Sequence, residues 1–165
     1  MIRKIVPVLL LCLGGCGNLK DYDVTLNERV VYTPRPLTVD DAIEDPALAA
    51  CIAQTLEDQN LSRSGQLQSL RCTQAGIVSL DGIQVYPAIS GLKLTGNAIA
   101  DITPLLPLTQ LENLWLNDNA LVNVGALVDL TSLAQLKLSG NPALNCESAA
   151  ALPVRRLELP EHCAR

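Results

Sequence analysis

Arg71, Lys93, Trp115 and Lys137 recur at a step of 22, and Glu158 follows Lys137 by 21. Three cations, the only tryptophan and one carboxylate at a near-fixed interval have the chemistry of recognition: charge pairing, hydrogen bonding and one large apolar contact. They lack the chemistry of turnover. The single histidine, His162, adjoins Cys163. No serine or cysteine has an evident base, and no glycine-rich phosphate loop or histidine–carboxylate metal pattern occurs. The sequence therefore leads us to expect no enzyme, no catalytic residue, no metal site and no cofactor.

The elements that must position this row are written around it. Leu92-Lys93-Leu94, Leu114-Trp115-Leu116 and Leu136-Lys137-Leu138 each place a row residue between two leucines, and Asn97, Asn119 and Asn141 follow three residues later. A 22-residue period with the core Leu-x-x-Leu-x-Leu-x-x-Asn-x-Leu is the signature of a leucine-rich-repeat solenoid. The register extends to Leu67, Ile89, Leu111 and Leu133; to Leu80, Ile102 and Val124; to Ile83, Leu105 and Leu127; and to Tyr86, Leu108, Leu130 and Leu152. Each series predicts one column of a stacked core that no single coil could bury alone. The asparagines should satisfy their amides on backbone of their own and adjacent coils.

In this α/β-class architecture each Leu-x-Leu is a short parallel strand, and the residue between the leucines faces out onto a concave sheet. At about 4.8 Å per strand the row spans roughly 20 Å. Ser69, Gly91, Asn113 and Gln135 flank it on one side, and Thr73, Thr95, Asn117 and Ser139 on the other. Arg71, Lys93, Trp115, Lys137, Asn113 and Asn117 are the expected ligand-binding residues. The alternative is that Lys93 and Lys137 pack their stems on Trp115 and bind nothing further. Prolines in return segments such as residues 101–108 discourage long helices, so turns or short 3₁₀ stretches are expected on the convex side.

The ends depart from the repeat. Ala75 stands in the asparagine slot of a degenerate first coil, and His162 in that of a last coil at Leu157-Glu158-Leu159, giving about five strands. Residues 45–66 form a predicted helical cap: Asp45 as N-cap, Pro46 in the first turn, and Leu48, Cys51, Ile52 and Leu56 on the face that covers the first coil. Asp40, Asp41, Glu44 and Asp45 form an acidic cluster that reads as solvated surface. The repeats occupy residues 67–152 and a C-terminal cap residues 153–165. Before the helix, residues 16–44 are a tether in which Val24, Leu26, Val30 and Tyr32 alternate as in one strand, suited to cover the first sheet edge; a disordered linker is the alternative.

Arg3 and Lys4, the apolar run 5–13 and Leu13-Gly14-Gly15-Cys16 describe a signal peptide over residues 1–15. Leu-Gly-Gly before Cys16 resembles the bacterial lipobox, which implies cleavage there and lipidation of Cys16; an ordinary signal with an incidental cysteine is the alternative. Losing Arg3 and Lys4 takes the formal charge from −5 to −7. Nucleic acid is a poor partner for so acidic a chain. Of the six cysteines, Cys51, Cys72, Cys146 and Cys163 then remain in an oxidising compartment. Cys51–Cys72 and Cys146–Cys163 are the favoured pairs, because each staples one end of the stack. Cys72 shares the column of Leu94, Leu116 and Leu138, and Cys146 lies 22 after Val124. Each bridge is worth about 3 kcal/mol in the chain-entropy account. A four-cysteine metal site is opposed by the absence of close pairs.

Residues 67–152 resemble the internalin-type, or SDS22-like, leucine-rich repeat, most clearly in Leu111-Glu112-Asn113-Leu114-Trp115-Leu116-Asn117-Asp118-Asn119 and in Asn97-Ala98-Ile99-Ala100-Asp101-Ile102. With Cys16 and the four cap cysteines, the whole chain looks like the small repeat lipoproteins of Gram-negative bacteria. The resemblance implies an outer-membrane location, since Gly17 stands where inner-membrane lipoproteins carry aspartate. It implies a lipid-anchored module that binds a protein or glycan. A structural envelope protein without a dedicated ligand is the second reading. A host-adhesion role is a weaker third, because the array is shorter than in internalins and has no sortase motif or immunoglobulin-like domain.

Overall fold

The computed structural model describes residues 24–26, 29–32 and 42–163. The expected signal peptide over residues 1–15, the expected lipidation site Cys16, and Asp40 and Asp41 of the acidic cluster lie outside them. The chain divides into two units at Pro34. In the first, Val24–Leu26 (β1) and Arg29–Tyr32 (β2) pair antiparallel, Leu26 opposite Arg29, with an irregularity between Val24 and Thr25. The alternation read as one strand is therefore two. In the sequence Asn27, a turn-favouring residue type, stands between the two runs, and even spacing across it does not report a shared strand.

The second unit is the solenoid. Pro46–Asp58 forms a 13-residue helix, α1. Five three-residue strands follow: Ser69–Arg71 (β3), Gly91–Lys93 (β4), Asn113–Trp115 (β5), Gln135–Lys137 (β6) and Arg156–Glu158 (β7). They make one parallel sheet in chain order. The register is that of the repeat: Leu70, Leu92, Leu114, Leu136 and Leu157 are successive partners. Every residue of the predicted core columns is buried, each contributing about 1.5–3 kcal/mol of transfer free energy. Ile77, Ile99 and Leu121 form a further buried column.

Strands this short cannot fix a register alone, and the asparagine ladder supplies what they lack. Asn119 Nδ2 donates to Leu116 O of its own coil at 3.1 Å and to Leu94 O of the preceding coil at 3.0 Å, while its Oδ1 accepts from Ile99 N at 3.1 Å. Asn141 repeats the pattern on Leu138 O, Leu116 O and Leu121 N, and Asn97 on Leu94 O, Cys72 O and Ile77 N. Each amide thus ties neighbouring coils together where an unmet backbone group would be costly. His162, in the equivalent slot of the last coil, bonds Leu144 O at 3.0 Å instead.

One residue before each slot the backbone turns left-handed: Gln74, Gly96, Asp118 and Gly140 have φ of 53°, 74°, 54° and 72°. Side chains and glycines alternate for a reason. A Cβ on Gly96 would lie 2.8 Å from Gln74 Cγ, and one on Gly140 1.9 Å from Asp118 Oδ1. Each side chain lies over the glycine of the next coil.

On the return side the chain forms the expected 3₁₀ turns at Ile83–Val85, Thr103–Leu105 and Gly125–Asp129. The last coil differs. Cys146–Ala150 is a short α-helix, α2, capped by Asn145, whose Oδ1 accepts from Ser148 N at 3.1 Å. An alanine-rich run with an asparagine cap and no proline supports a helix there, which the repeat pattern did not suggest.

Both ends are sealed as expected. Cys51 of α1 is joined to Cys72, and Cys146 of α2 to Cys163. Leu48, Ile52 and Leu56 of α1 are buried. Asp45 corrects its reading as solvated surface: it is 8% exposed. Its Oδ1 caps α1 through Ala47 N and Leu48 N, both at 2.9 Å, and its Oδ2 accepts from Val78 N at 2.8 Å and Ser79 N at 3.0 Å in the first coil. Burial raises the carboxyl's affinity for a proton, but the N–H groups of Ser79, Leu48, Val78 and Ala47 together outweigh it and hold Asp45 below the ordinary 3.8.

Candidate functional site: the outward face of the parallel sheet

Pleating turns the residue between two inward-facing side chains outward, so the register that aligns Leu70, Leu92, Leu114, Leu136 and Leu157 also aligns Arg71, Lys93, Trp115, Lys137 and Glu158 as successive partners. Ser69, Gly91, Asn113, Gln135 and Arg156 form the next row. Arg156, not anticipated on this face, enters because the last coil is one residue short and still pairs in phase. Trp115, Lys93, Asn113 and Asn117 are half-buried and Arg71 is exposed.

The two ends of the face differ electrostatically. Lys137 Nζ lies 2.9 Å from Glu158 Oε2. Glu158 Oε1 accepts from Ser139 Oγ at 3.0 Å and Asn117 Nδ2 at 3.3 Å, and Asn117 Nδ2 also donates to Ser139 Oγ. The hydrogen bond from Lys137, then that from Ser139, holds the Glu158 carboxyl below its ordinary range. Lys137 and Asn117, both expected to meet a ligand, are thus engaged with their own sheet. Opposite charges on adjacent strands of one face were the signal for this pair. At the other end, the side chains of Arg71, Lys93 and Asn113 have no hydrogen-bond or ion-pair partner among the described residues. Gly91 leaves a gap between Ser69 and Asn113, where even a Cβ would meet only Ser69 Oγ at 3.7 Å.

Two other clusters have less chemistry. Cys146, His162 and Cys163 bring three potential metal ligands within 4.8 Å of one another, but the sulfurs are joined to each other and the histidine bonds Leu144 O. A shallow depression lies among Ala100, Asp101, Ile102, Thr103, Val122, Asn123, Gly125 and Ala126. Its one carboxylate, Asp101, accepts from Thr103 Oγ1 at 2.6 Å and Thr103 N at 2.8 Å, bonds that hold it below its ordinary range.

No protein-family model matches this chain, and no curated protein sequence matches it. Solved structures do. An internalin (inlF) from Listeria monocytogenes superposes with a TM-score of 0.65 at 26% identity, over 76% of this chain and 39% of that one. Internalin C2 (inlC2) from the same organism gives 0.58 at 26% identity, over 75% of this chain and 68% of that one. The chain therefore spans well under half of the first relative and about two thirds of the second. With the 22-residue register, the parallel sheet and the asparagine ladder, these matches identify the described solenoid as an internalin-like leucine-rich-repeat fold.

Proposed function

We propose that this protein is a non-catalytic interaction module that binds a protein or glycan on the outward face of its sheet. The observation that carries this is the alignment of Arg71, Lys93 and Trp115 on adjacent strands, where the two cations have no internal partner among the described residues. A rigid sheet presenting an aromatic between polar neighbours is a common form of interaction hot spot. The face is small, so it suits a modest interface.

In the same proposal the module is held to the outer membrane of a Gram-negative envelope by acyl chains on Cys16, which the Leu-Gly-Gly-Cys sequence supports. More than one chain on a residue gives stable anchoring where a single chain binds marginally. Among the described residues, no helix is long and apolar enough to cross a membrane. Intact mass of the mature protein tests the anchor, and a Cys16→Ser form that stays membrane-bound refutes it. Binding is tested by crosslinking in intact cells with wild type and Trp115→Ala. A discrete adduct lost on substitution supports recognition. No adduct with either protein favours a structural envelope role, a reading supported by the internally satisfied Lys137–Glu158 end of the face.

A further inference from the structure

The charge layout of the face goes further than its existence. Arg71, Lys93, Lys137 and Arg156 stand on the two outward rows against Glu158 alone, an excess of three positive charges on a chain of net −5. Lys137 is matched by Glu158. Arg156 lies at the far edge strand, whereas Arg71 and Lys93 are immediate neighbours beside Trp115. Resting on the recognition reading above, the geometry points to an acidic polypeptide segment as the occupant. Its carboxylates lie over Arg71 and Lys93, an apolar side chain covers Trp115, and its uncharged remainder crosses the Lys137–Glu158 end.

Three features favour this chemistry. Successive strands put the two cations about 4.8 Å apart, so they form a line of donors suited to an extended chain rather than a ring converging on one small anion. Arg71 offers a planar fork that fits a carboxylate bidentately. A long uniform polyanion is disfavoured because it must also pass Glu158, whose carboxylate is held in its charged form by Lys137, Ser139 and Asn117. Gly91 leaves room beside Lys93 for a ligand side chain to lie close to the sheet.

The test uses the full mature protein in detergent and fluorescence anisotropy with three labelled probes. These are an end-capped peptide of two glutamates, a leucine and three uncharged polar residues, its glutamine counterpart, and a diuronate of equal charge. The acidic peptide should bind most tightly and weaken between 50 and 200 mM salt, as screening requires. Lys93→Glu and Arg71→Glu should each weaken it by roughly tenfold, the scale of one exposed pair lost and one repulsion gained. Replacing the internal pair together, Lys137→Gln with Glu158→Gln, should leave affinity within about twofold because the net charge is unchanged. Equal binding of the glutamine peptide, tighter binding of the diuronate, or a larger loss from the paired substitution than from Lys93→Glu each overturns the proposal. If the acidic peptide fails while the cellular adduct still depends on Trp115, the face is a binding site for other chemistry. If both fail, the recognition reading falls too.

Discussion

Asp45 joins the capping helix to the first coil, and Asp45→Asn separates its two jobs. Asparagine caps helices as well as aspartate does, so the bonds to Ala47 N and Leu48 N survive if the amide oxygen stays there. The NH₂ group then faces Val78 N and Ser79 N, which need an acceptor. Flipping the amide moves the conflict to the helix end without removing it. Two hydrogen bonds to a charged group are lost either way, each worth about 1.5–3 kcal/mol, so the substitution should cost about 3 kcal/mol at neutral pH. Asp45→Ala adds the lost cap, about 1 kcal/mol more.

The same substitution has a pH signature. The folded carboxyl is held below its unfolded value. Its contribution is therefore complete above that unfolded value, near 3.8, and is lost as the pH falls from there through the lower folded value. Asp101 and Glu158 are also held low, but they are present in both proteins and cancel in the difference. Urea unfolding followed by Trp115 fluorescence and far-ultraviolet dichroism, at steps from pH 7 to pH 2, measures the gap between wild type and Asp45→Asn. It should be widest near neutrality and narrow below about pH 4. A gap under 1 kcal/mol at pH 7, or one that stays constant into acid, would falsify this account of the seal.

Other substitutions probe the stack itself. Gly140→Ala forces a Cβ to 3.0 Å from Asp118 N at a φ of +72°, so thermal melts should show a loss of about 1–2 kcal/mol. Asp118→Gly, at the same position one coil earlier, should be neutral or stabilising, because it relieves a left-handed non-glycine residue. Asn141→Leu keeps the volume but strands Leu121 N and Leu138 O, and takes from Leu116 O one of its two amide donors, Asn119 Nδ2 remaining. Denaturant titration should register at least about 3 kcal/mol, and a smaller loss than that from Gly140→Ala would contradict the ladder's role. Removing either disulfide by paired Cys→Ala substitution should cost about 3 kcal/mol, with non-reducing peptide mapping confirming that the other bridge persists.

What was legible in the sequence is what the stacking repeats. Leu70, Leu92, Leu114 and Leu136 must coincide for any coil to be buried, so a step of 22 carries the core, the sheet register and the outward row together. The cap cysteines followed from the same logic, Cys72 standing in a buried column. Features that belong to one coil only were harder to read. The second arm of Asp45 reaches residues 33 and 34 positions away, a distance no local cap motif encodes. The helix α2 occupies a position where other coils have 3₁₀ turns. The left-handed position was hidden because Gln74, Gly96, Asp118 and Gly140 share a conformation and not a residue type. The Lys137–Glu158 pair was readable in principle, since both stood in the predicted row, but reading the row residue by residue obscured what neighbours do to each other.

The outward row also differs from every other column in what constrains it. An inward leucine is fixed by the coils above and below, and an asparagine by three backbone groups. Nothing in the stack requires a tryptophan at position 115, where its ring is only partly covered. Covering about 50 Å² of such a ring on binding is worth on the order of 1.3 kcal/mol, somewhat more than an exposed ion pair supplies. The division of labour on this face follows from those magnitudes. In the proposed complex Trp115 provides the largest single contribution. In the proposed complex Arg71 and Lys93, weak individually, set the sign of the partner and the rate of encounter, and the match of Lys137 with Glu158 confines that positive charge to their end of the face.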